Sequence, residues 1–403
     1  MHTSQLTIER LPGHGADFPE LKDPSVIRKP DGSYEMYASV GRSDIQSWKV
    51  GRFVADHVAG VWRELHSATL HRLSGPQLCA PAVTYRETNG HCSYKLYIQT
   101  ACFEENGVIC AAESIDGMNF FGHPEPLVTK DTPPKGSVPI TGVYDVSLSH
   151  VRLDGRLHEC LTFTGITRVG HGDVYAMFRD LAEADGEGWT PAHRILAQEE
   201  VPFHNRPDGG GHYEWCIEGT QVVELGRSQY LMVGVCFLDK PKEMDGERQR
   251  VFFAVSRSPK GPFVPVGTPV EPLDGRGENG HPDTVLDGED LHLVYQERAG
   301  DGQPWHLRHT TFRVDHLRAL VDEALGEPAE ASFELLPTCT AADIAGHTAL
   351  PGILPNTALV PLLATRSPSH RGSARPASAG AGPARQMGDR VPPSRRRRAR
   401  RCA

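Results

Sequence analysis

The chain has 403 residues, with 42 basic and 51 acidic side chains, which gives a formal net charge of −9 at pH 7. Residues 366–403 carry eleven arginines against one acid, so residues 1–365 carry 31 basic and 50 acidic side chains. The acidic body argues against nucleic acid as the main partner. The lack of an apolar run of about 20 residues argues against a membrane span.

The sequence also bounds the compartment and the domain organisation. The N-terminal residues MHTSQLTIERLPGHG lack the basic start and apolar centre of a signal peptide. The nine cysteines form no C-x-x-C pair, and several lie in apolar runs, which suits reduced thiols. We therefore expect a cytoplasmic protein. We predict a folded domain at 1–330, a C-terminal extension at 331–365, and a disordered basic tail at 366–403 that has almost no large apolar residues.

Five stretches of the chain share one pattern: a small or polar opening, a short strand, a turn that contains glycine, and a second apolar strand. They are DPSVIRKPDGSYEMYAS (23–39), APAVTYRETNGHCSYKLYIQT (80–100), DVSLSHVRLDGRLHECLTFTG (145–165), EGTQVVELGRSQYLMVGVCF (218–237) and HPDTVLDGEDLHLVYQER (281–298). Glycine suits these turns because it tolerates positive φ. The openings are 57 to 73 residues apart, which indicates an internal repeat.

Further strand candidates follow the hairpins, at 108–120, 173–180, 250–263 and 305–314. Each repeat therefore holds about four strands, which is typical of propeller blades around a central channel. We predict an all-β, five-bladed β-propeller with four-stranded blades, followed by one short amphipathic helix at 315–325. The alternative is a pair of β-sandwiches with similar turns.

The residues that open the repeats are the candidate functional residues. The innermost strand of each blade lines the axis, so these residues converge in a funnel at one end of the channel. The openings are Asp23, Ala80, Asp145, Glu218 and His281. Three carboxylates and an imidazole in one partly desolvated pocket push their pKa values apart, which supplies both an acid and a base near neutral pH.

The same motifs resemble those of the family 43 glycoside hydrolases, and the likeness extends over about residues 15–315. They are KDPSVI around Asp23, VYDVSLS around Asp145, IEGTQVV around Glu218 and GHPDTV around His281. The resemblance implies an inverting glycosidase in which Asp23 is the general base and Glu218 the general acid. It implies that Asp145 tunes pKa and orientation, and that His281 contacts the axial region and binds substrate. No cofactor is required, and an axial calcium is compatible with this reading.

Four other side chains are predicted to bind the substrate. Trp215 lies three residues before Glu218 and is expected to stack on a sugar face. Trp48 and Phe53 are expected to add an apolar wall to the funnel. Arg298, after the apolar run of the last hairpin, is expected to bind a sugar hydroxyl or carboxylate.

Two departures from the family pattern leave the substrate open. Thr220 and Val146 stand where a proline usually follows the acid's glycine and the second aspartate. A pentose-type glycoside, a short oligosaccharide or a glycosylated small metabolite is the expected partner. Three alternatives remain: a phosphorylase, which would need a cationic phosphate site; a non-catalytic glycan-binding propeller; and an enzyme that uses the funnel for elimination or cyclisation of a metabolite.

Overall fold

Five β-sheets, built mainly of antiparallel strands, follow one another around a ring, which confirms the predicted five-bladed β-propeller. The computed structural model describes residues 3–326 except 44–46, 74–77, 89, 101–106, 133–139, 169–170, 183–187, 205–215, 227, 239–248, 273–276 and 301. By compactness the chain divides into units 1–350 and 351–403, and the second unit lies wholly outside the described residues. The predicted extension at 331–365 and the predicted tail at 366–403 lie outside them as well.

The first two blades each contain four antiparallel strands and one short outer strand that runs parallel to its neighbour. Blade 1 consists, from the axis outward, of β3 (Glu20–Arg28), β4 (Tyr34–Arg42), β5 (Ser47–Ala55), β6 (Val61–Leu65) and β2 (Thr7–Glu9). Blade 2 consists of β8 (Cys79–Thr88), β9 (His91–Thr100), β10 (Val108–Ser114), β11 (Asn119–Gly122) and β7 (Thr69–His71).

The other three blades have four strands each. Blade 3 consists of β12 (Gly142–Leu153), β13 (Arg156–Arg168), β14 (His171–Asp180) and β15 (His193–Leu196). Blade 4 consists of β16 (Glu218–Gly226), β17 (Gln229–Phe237), β18 (Gln249–Ser256) and β19 (Val264–Gly267). Blade 5 consists of β20 (Glu278–Asp287), β21 (Asp290–Arg298), β22 (His306–Arg313) and the N-terminal strand β1 (Thr3–Gln5). Because β1 pairs with β22, the two ends of the propeller close the ring.

Helices contribute little to the described chain. They are the short α1 (His14–Asp17), a 3-10 turn at Gln198–Glu200, and α2 (Val314–Leu325), which confirms the predicted helix. Along α2, Val314, Leu317 and Val321 recur at helical spacing and pack against the apolar cluster of blades 4 and 5. No helix among the described residues is long and apolar enough to cross a membrane.

The apolar side chains fill the spaces between neighbouring blades. Phe53 of β5 is fully buried and packs in the cluster of blades 1 and 5 with Met36 and Val294. Both faces of a blade are covered by the adjacent blades, so an aromatic ring in a middle strand packs between sheets rather than toward the axis. The prediction that Phe53 forms a wall of the funnel is therefore wrong.

Every innermost strand carries a β-bulge at the same place in the repeat. The first residue of each bulge, called here the bulge residue, has positive φ: Asp23 (51°), Ala80 (50°), Asp145 (52°), Gly219 (55°) and His281 (42°). Residues other than glycine adopt this left-handed conformation at a cost of about 1–2 kcal/mol. Since four of the five are not glycine, the surrounding structure must hold the bulges in place.

Two residues beyond the bulge, polar side chains join the blades near the axis. The Ser25 hydroxyl accepts a hydrogen bond from the Val83 N–H at 2.9 Å, which joins blade 1 to blade 2. Asp283 accepts from the Val26 N–H and from the Gln221 amide, which joins blade 5 to blades 1 and 4. The carboxyl group of Asp283 is thereby buried in the ring, and burial raises its pKa to about 7.

Asp283 should make stability fall as pH rises. A carboxyl group whose pKa is higher in the folded than in the unfolded chain stabilises most below pH about 4, and this contribution is lost as pH rises through about 7. Asp283→Asn keeps an acceptor for Val26 and removes the ionisation. We expect its free energy of unfolding to fall less between about pH 5 and pH 8 than that of the wild type, by on the order of 1–3 kcal/mol.

Urea unfolding followed by circular dichroism measures this difference. The matched control is Asp56→Asn, which removes an exposed carboxylate and should keep the wild-type pH dependence. An Asp283→Asn variant whose stability depends on pH as steeply as that of the wild type would contradict the assignment.

Candidate active site

Four of the predicted residues meet at the funnel, around the imidazole of His281. Its Nδ1 atom lies 3.2 Å from Asp23 Oδ1. Its Nε2 atom lies 3.4 Å from Asp145 Oδ2 and 3.6 Å from Glu218 Oε1. Asp23 and Asp145 are buried, and the side chains of Glu218 and His281 are 13% and 12% exposed. The predicted convergence of the blade openings is confirmed.

Glu218, however, is not the equivalent of the other three residues. Asp23, Asp145 and His281 are bulge residues, whereas the bulge residue of blade 4 is Gly219, so Glu218 stands one position earlier. The predicted equivalence is wrong by one residue, because a bulge changes register without a mark in the hydrophobic pattern. Gly219 has a steric role in this arrangement, since a Cβ atom there would lie 3.2 Å from His281 Nδ1.

The backbone of Asp23 and that of Asp145 are each held by a side chain of the preceding blade. The Asp23 N–H donates to Gln296 Oε1 at 3.0 Å, from β21 of blade 5. The Asp145 N–H donates to Gln99 Oε1, from β9 of blade 2. Both glutamines are buried and stand at the same register position of their blades. These hydrogen bonds orient the two aspartates and support their left-handed backbone.

Two site residues were not found by sequence reasoning. Lys22 precedes Asp23, and its Nζ atom lies 3.4 Å from Asp23 Oδ2 and 4.5 Å from the centre of the Trp48 ring. Tyr144 precedes Asp145, and burial together with the nearby Cys216 and Glu218 raises the pKa of its phenol well above the ordinary value. Lys22, Tyr144 and Glu218 all stand one residue before a bulge residue. The sequence signal for Lys22 and Tyr144 was that each directly precedes a residue that opens a repeat.

The pKa values of Asp23, Glu218 and His281 are shifted as well. Burial acts to raise the pKa of Asp23, but the charges of Lys22 and His281 outweigh it and hold the pKa below its ordinary value. Burial and the charge of Asp145 raise the pKa of Glu218 to about 8. Burial acts to lower the pKa of His281, yet Asp145 and Asp23 hold it well above its ordinary value. At neutral pH the funnel thus contains an ionised Asp23, a protonated Glu218 and an imidazolium.

The remaining predicted binding residues are placed differently. Trp48 lies beside the site through its contact with Lys22. The Arg298 guanidinium lies 2.9 Å from Glu278 and 4.5 Å from the centre of the Trp305 ring, within blade 5. Its contact with a substrate stays a prediction. Trp215 lies outside the described residues.

Two groups of described side chains bring three potential metal ligands within 4.8 Å of one another: Asp145, Glu218 and His281, and His171, Asp173 and Glu199. Calcium requires six to eight oxygen ligands, which a protonated carboxyl group and an imidazolium do not supply. In the second group Asp173 is already paired with Arg194 at 3.1 Å. Neither group fits a resident calcium ion, and the axial calcium stays a prediction.

Comparison with known proteins supports the fold. No protein-family model matches the chain, and no curated protein matches it. Among solved structures, an endo-arabinase from Bacteroides thetaiotaomicron is similar, with a TM-score of 0.52 and 18% identity over 73% of this chain and 94% of that one. An α-L-arabinofuranosidase from Lactobacillus brevis has a TM-score of 0.50 and 16% identity over 72% of this chain and 90% of that one.

A glycoside hydrolase family 43 arabinoxylan arabinofuranohydrolase from Bacillus subtilis has a TM-score of 0.52 and 16% identity over 74% of this chain and 64% of that one. Identities this low establish a shared fold and not a shared activity. The resemblance to family 43 glycoside hydrolases is thus confirmed for the five-bladed propeller.

Because there is little space between Gly219 and His281, a larger residue at position 219 should destabilise the protein. Gly219→Ala places a Cβ atom in a left-handed backbone against the imidazole, so it should lower the free energy of unfolding by about 1–2 kcal/mol. It should also move the ring away from its carboxylates and bring the pKa of His281, measured by NMR, toward its ordinary value. The control is the reverse substitution, Ala80→Gly, at the bulge of blade 2, which relieves the same strain and should not destabilise. Unchanged stability and unchanged His281 titration in Gly219→Ala would contradict this account.

Proposed function

We propose that this chain is an inverting glycoside hydrolase that acts on a pentose-type glycoside or short oligosaccharide. One observation carries the proposal: two carboxyl groups that contact the same imidazole are held in opposite protonation states. Asp23 is ionised beside two cations, and Glu218 is protonated because it is buried beside Asp145. A pair of carboxyl groups tuned in opposite directions is the requirement of acid–base glycoside cleavage.

The contacts with His281 limit the separation of the two carboxyl groups, and inversion is the stereochemistry we propose. Since Asp23 and Glu218 contact opposite nitrogen atoms of the His281 ring, their contacting oxygen atoms lie at most about 9 Å apart. Inverting glycosidases hold their two carboxyl groups about 6.5–9.5 Å apart, with room for a water. In this arrangement Asp23 takes a proton from the water that attacks the anomeric carbon. Glu218 gives its proton to the departing glycosidic oxygen.

Asp145 and His281 support these two steps without exchanging atoms with the substrate. The charge of Asp145 and its hydrogen bond with Glu218 keep the acid protonated. The imidazolium lies between Asp23 and Asp145, at 3.2 and 3.4 Å, and balances negative charge in a poorly solvated pocket. The substrate class rests on the structural neighbours named above, which are described as an endo-arabinase, an α-L-arabinofuranosidase and an arabinoxylan arabinofuranohydrolase.

Aryl glycosides with leaving groups of different acidity separate the two roles. The first substrates are aryl α-L-arabinofuranosides and aryl β-D-xylosides. Asp23→Asn should lower kcat by at least about 10³-fold on all of them, since every leaving group needs the activated water. Glu218→Gln should retain turnover with nitrophenyl leaving groups and lose most of it with poor ones. NMR of the first-formed sugar should show inverted configuration.

Three outcomes contradict the proposal. Retained configuration would mean that Asp23 acts as a nucleophile. Turnover that depends on phosphate would indicate a phosphorylase. No turnover of any panel member by the folded wild-type protein would exclude hydrolysis of these sugars and leave elimination, cyclisation or glycan binding as the remaining functions.

The pH dependence of kcat/KM should identify Glu218 as the acid. Because the reaction needs Glu218 protonated, kcat/KM should fall as pH rises through about 8. With a nitrophenyl substrate, Glu218→Gln has no proton to lose there, so its alkaline limb should be absent. An alkaline limb that persists unchanged in Glu218→Gln would assign it to another group.

A further inference from the structure

Lys22 occupies on blade 1 the position that Glu218 occupies on blade 4. Each residue directly precedes a bulge residue, and each pairs with the same register position of the next strand, Ser39 for Lys22 and Val235 for Glu218. The geometry that brings an acid to the funnel from blade 4 thus brings an ammonium group to it from blade 1.

The lysine side chain is held on two sides. Its Nζ atom lies 4.5 Å from the centre of the Trp48 ring on β5 and 3.4 Å from Asp23 Oδ2. The ring itself lies close against the β4 backbone, because a Cβ atom on Gly41 would come within 2.7 Å of it. Only 15% of the Lys22 side chain is exposed, so the ammonium group is poorly solvated and its interactions with the ring and the carboxylate are stronger than at an open surface.

The two oxygen atoms of Asp23 have different cationic neighbours. Oδ1 faces His281 Nδ1 at 3.2 Å, and Oδ2 faces Lys22 at 3.4 Å. The imidazolium also serves Asp145 and Glu218, whereas the ion pair of Lys22 is with Asp23. The lysine therefore distinguishes Asp23 from Asp145 electrostatically, although both are aspartates at bulge positions.

We propose that Lys22 is a positioning residue for Asp23: held by Trp48, its ammonium group fixes one carboxylate oxygen and balances the charge of the base. This rests on the proposed function, in which Asp23 is the base. The ion pair with Lys22 keeps the Asp23 carboxylate anionic and fixes its orientation. The lysine does not itself react with the substrate.

The first test needs no substrate. In protein with ¹³C-labelled aspartate, the carboxyl resonance of Asp23 is identified by its loss in Asp23→Asn, and its titration is followed in each variant. Lys22→Met should raise the midpoint by about one pH unit or more, since removing a cation within 4 Å destabilises the anion. Lys22→Arg should restore most of the wild-type value. If Lys22→Met does not fold, Lys22→Gln takes its place.

Lys49→Met is the matched control. Lys49 lies on the same strand as Trp48 and its ammonium group lies 4.1 Å from the Phe18 ring, so it has the same kind of ring contact, made with a different aromatic residue. This variant should leave the Asp23 midpoint unchanged. A midpoint in Lys22→Met equal to that of the wild type, or a shift of the same size in Lys49→Met, would overturn the proposal.

Kinetics then separate this proposal from the proposed function. If the chain hydrolyses an aryl glycoside, Lys22→Met should lower kcat at least about tenfold with little change in KM, and should move the acidic limb of kcat/KM upward with the NMR midpoint. Lys22→Arg should recover both. A shifted midpoint in a protein without glycosidase activity supports the role of Lys22 and rejects the glycosidase. Turnover with an unshifted midpoint does the reverse.

Discussion

A bulge in the left-handed backbone region interrupts every innermost strand, and the contents of the funnel follow from it. Four of these positions hold residues other than glycine, each at a cost of about 1–2 kcal/mol. The cost is offset by hydrogen bonds to the preceding blade, such as those that the Asp23 and Asp145 N–H groups donate to Gln296 and Gln99. The geometry of the site therefore depends on the packing of the blades, because a shift between two blades also moves a carboxylate.

The protonation states in the funnel depend on the small number of cations that contact its carboxyl groups. One imidazolium contacts three carboxyl groups, which is not enough charge to keep all of them ionised in a poorly solvated space. Lys22, 3.4 Å from Asp23, supplies that carboxylate with a second cation. Glu218, beside the negative charge of Asp145, retains its proton. The difference in protonation between Asp23 and Glu218 thus arises from position around the ring, not from residue type.

Much of the architecture was predictable because it depends on local sequence patterns. Apolar alternation and glycine turns mark the five hairpins, and their spacing indicates the ring and the meeting of Asp23, Asp145 and His281. The offset of Glu218 was not predictable, since register at a bulge depends on partner strands distant in sequence. The burial of Phe53 was missed for a similar reason: β5 is covered by another blade, and only the assembled ring shows which side chains face solvent.

Closure of the ring by β1 has a consequence for the order in which the chain acquires its site. Asp23 is synthesised early, but two of its partners belong to blade 5, more than 250 residues later. They are His281 and Gln296, whose side chain accepts a hydrogen bond from the Asp23 N–H. During translation Asp23 is a hydrated carboxylate with neither of these partners. Contacts of such high sequence separation form slowly. Asp23 therefore acquires these partners only when the first and last blades meet, and a chain truncated before His281 lacks the imidazole that joins the carboxyl groups of the funnel.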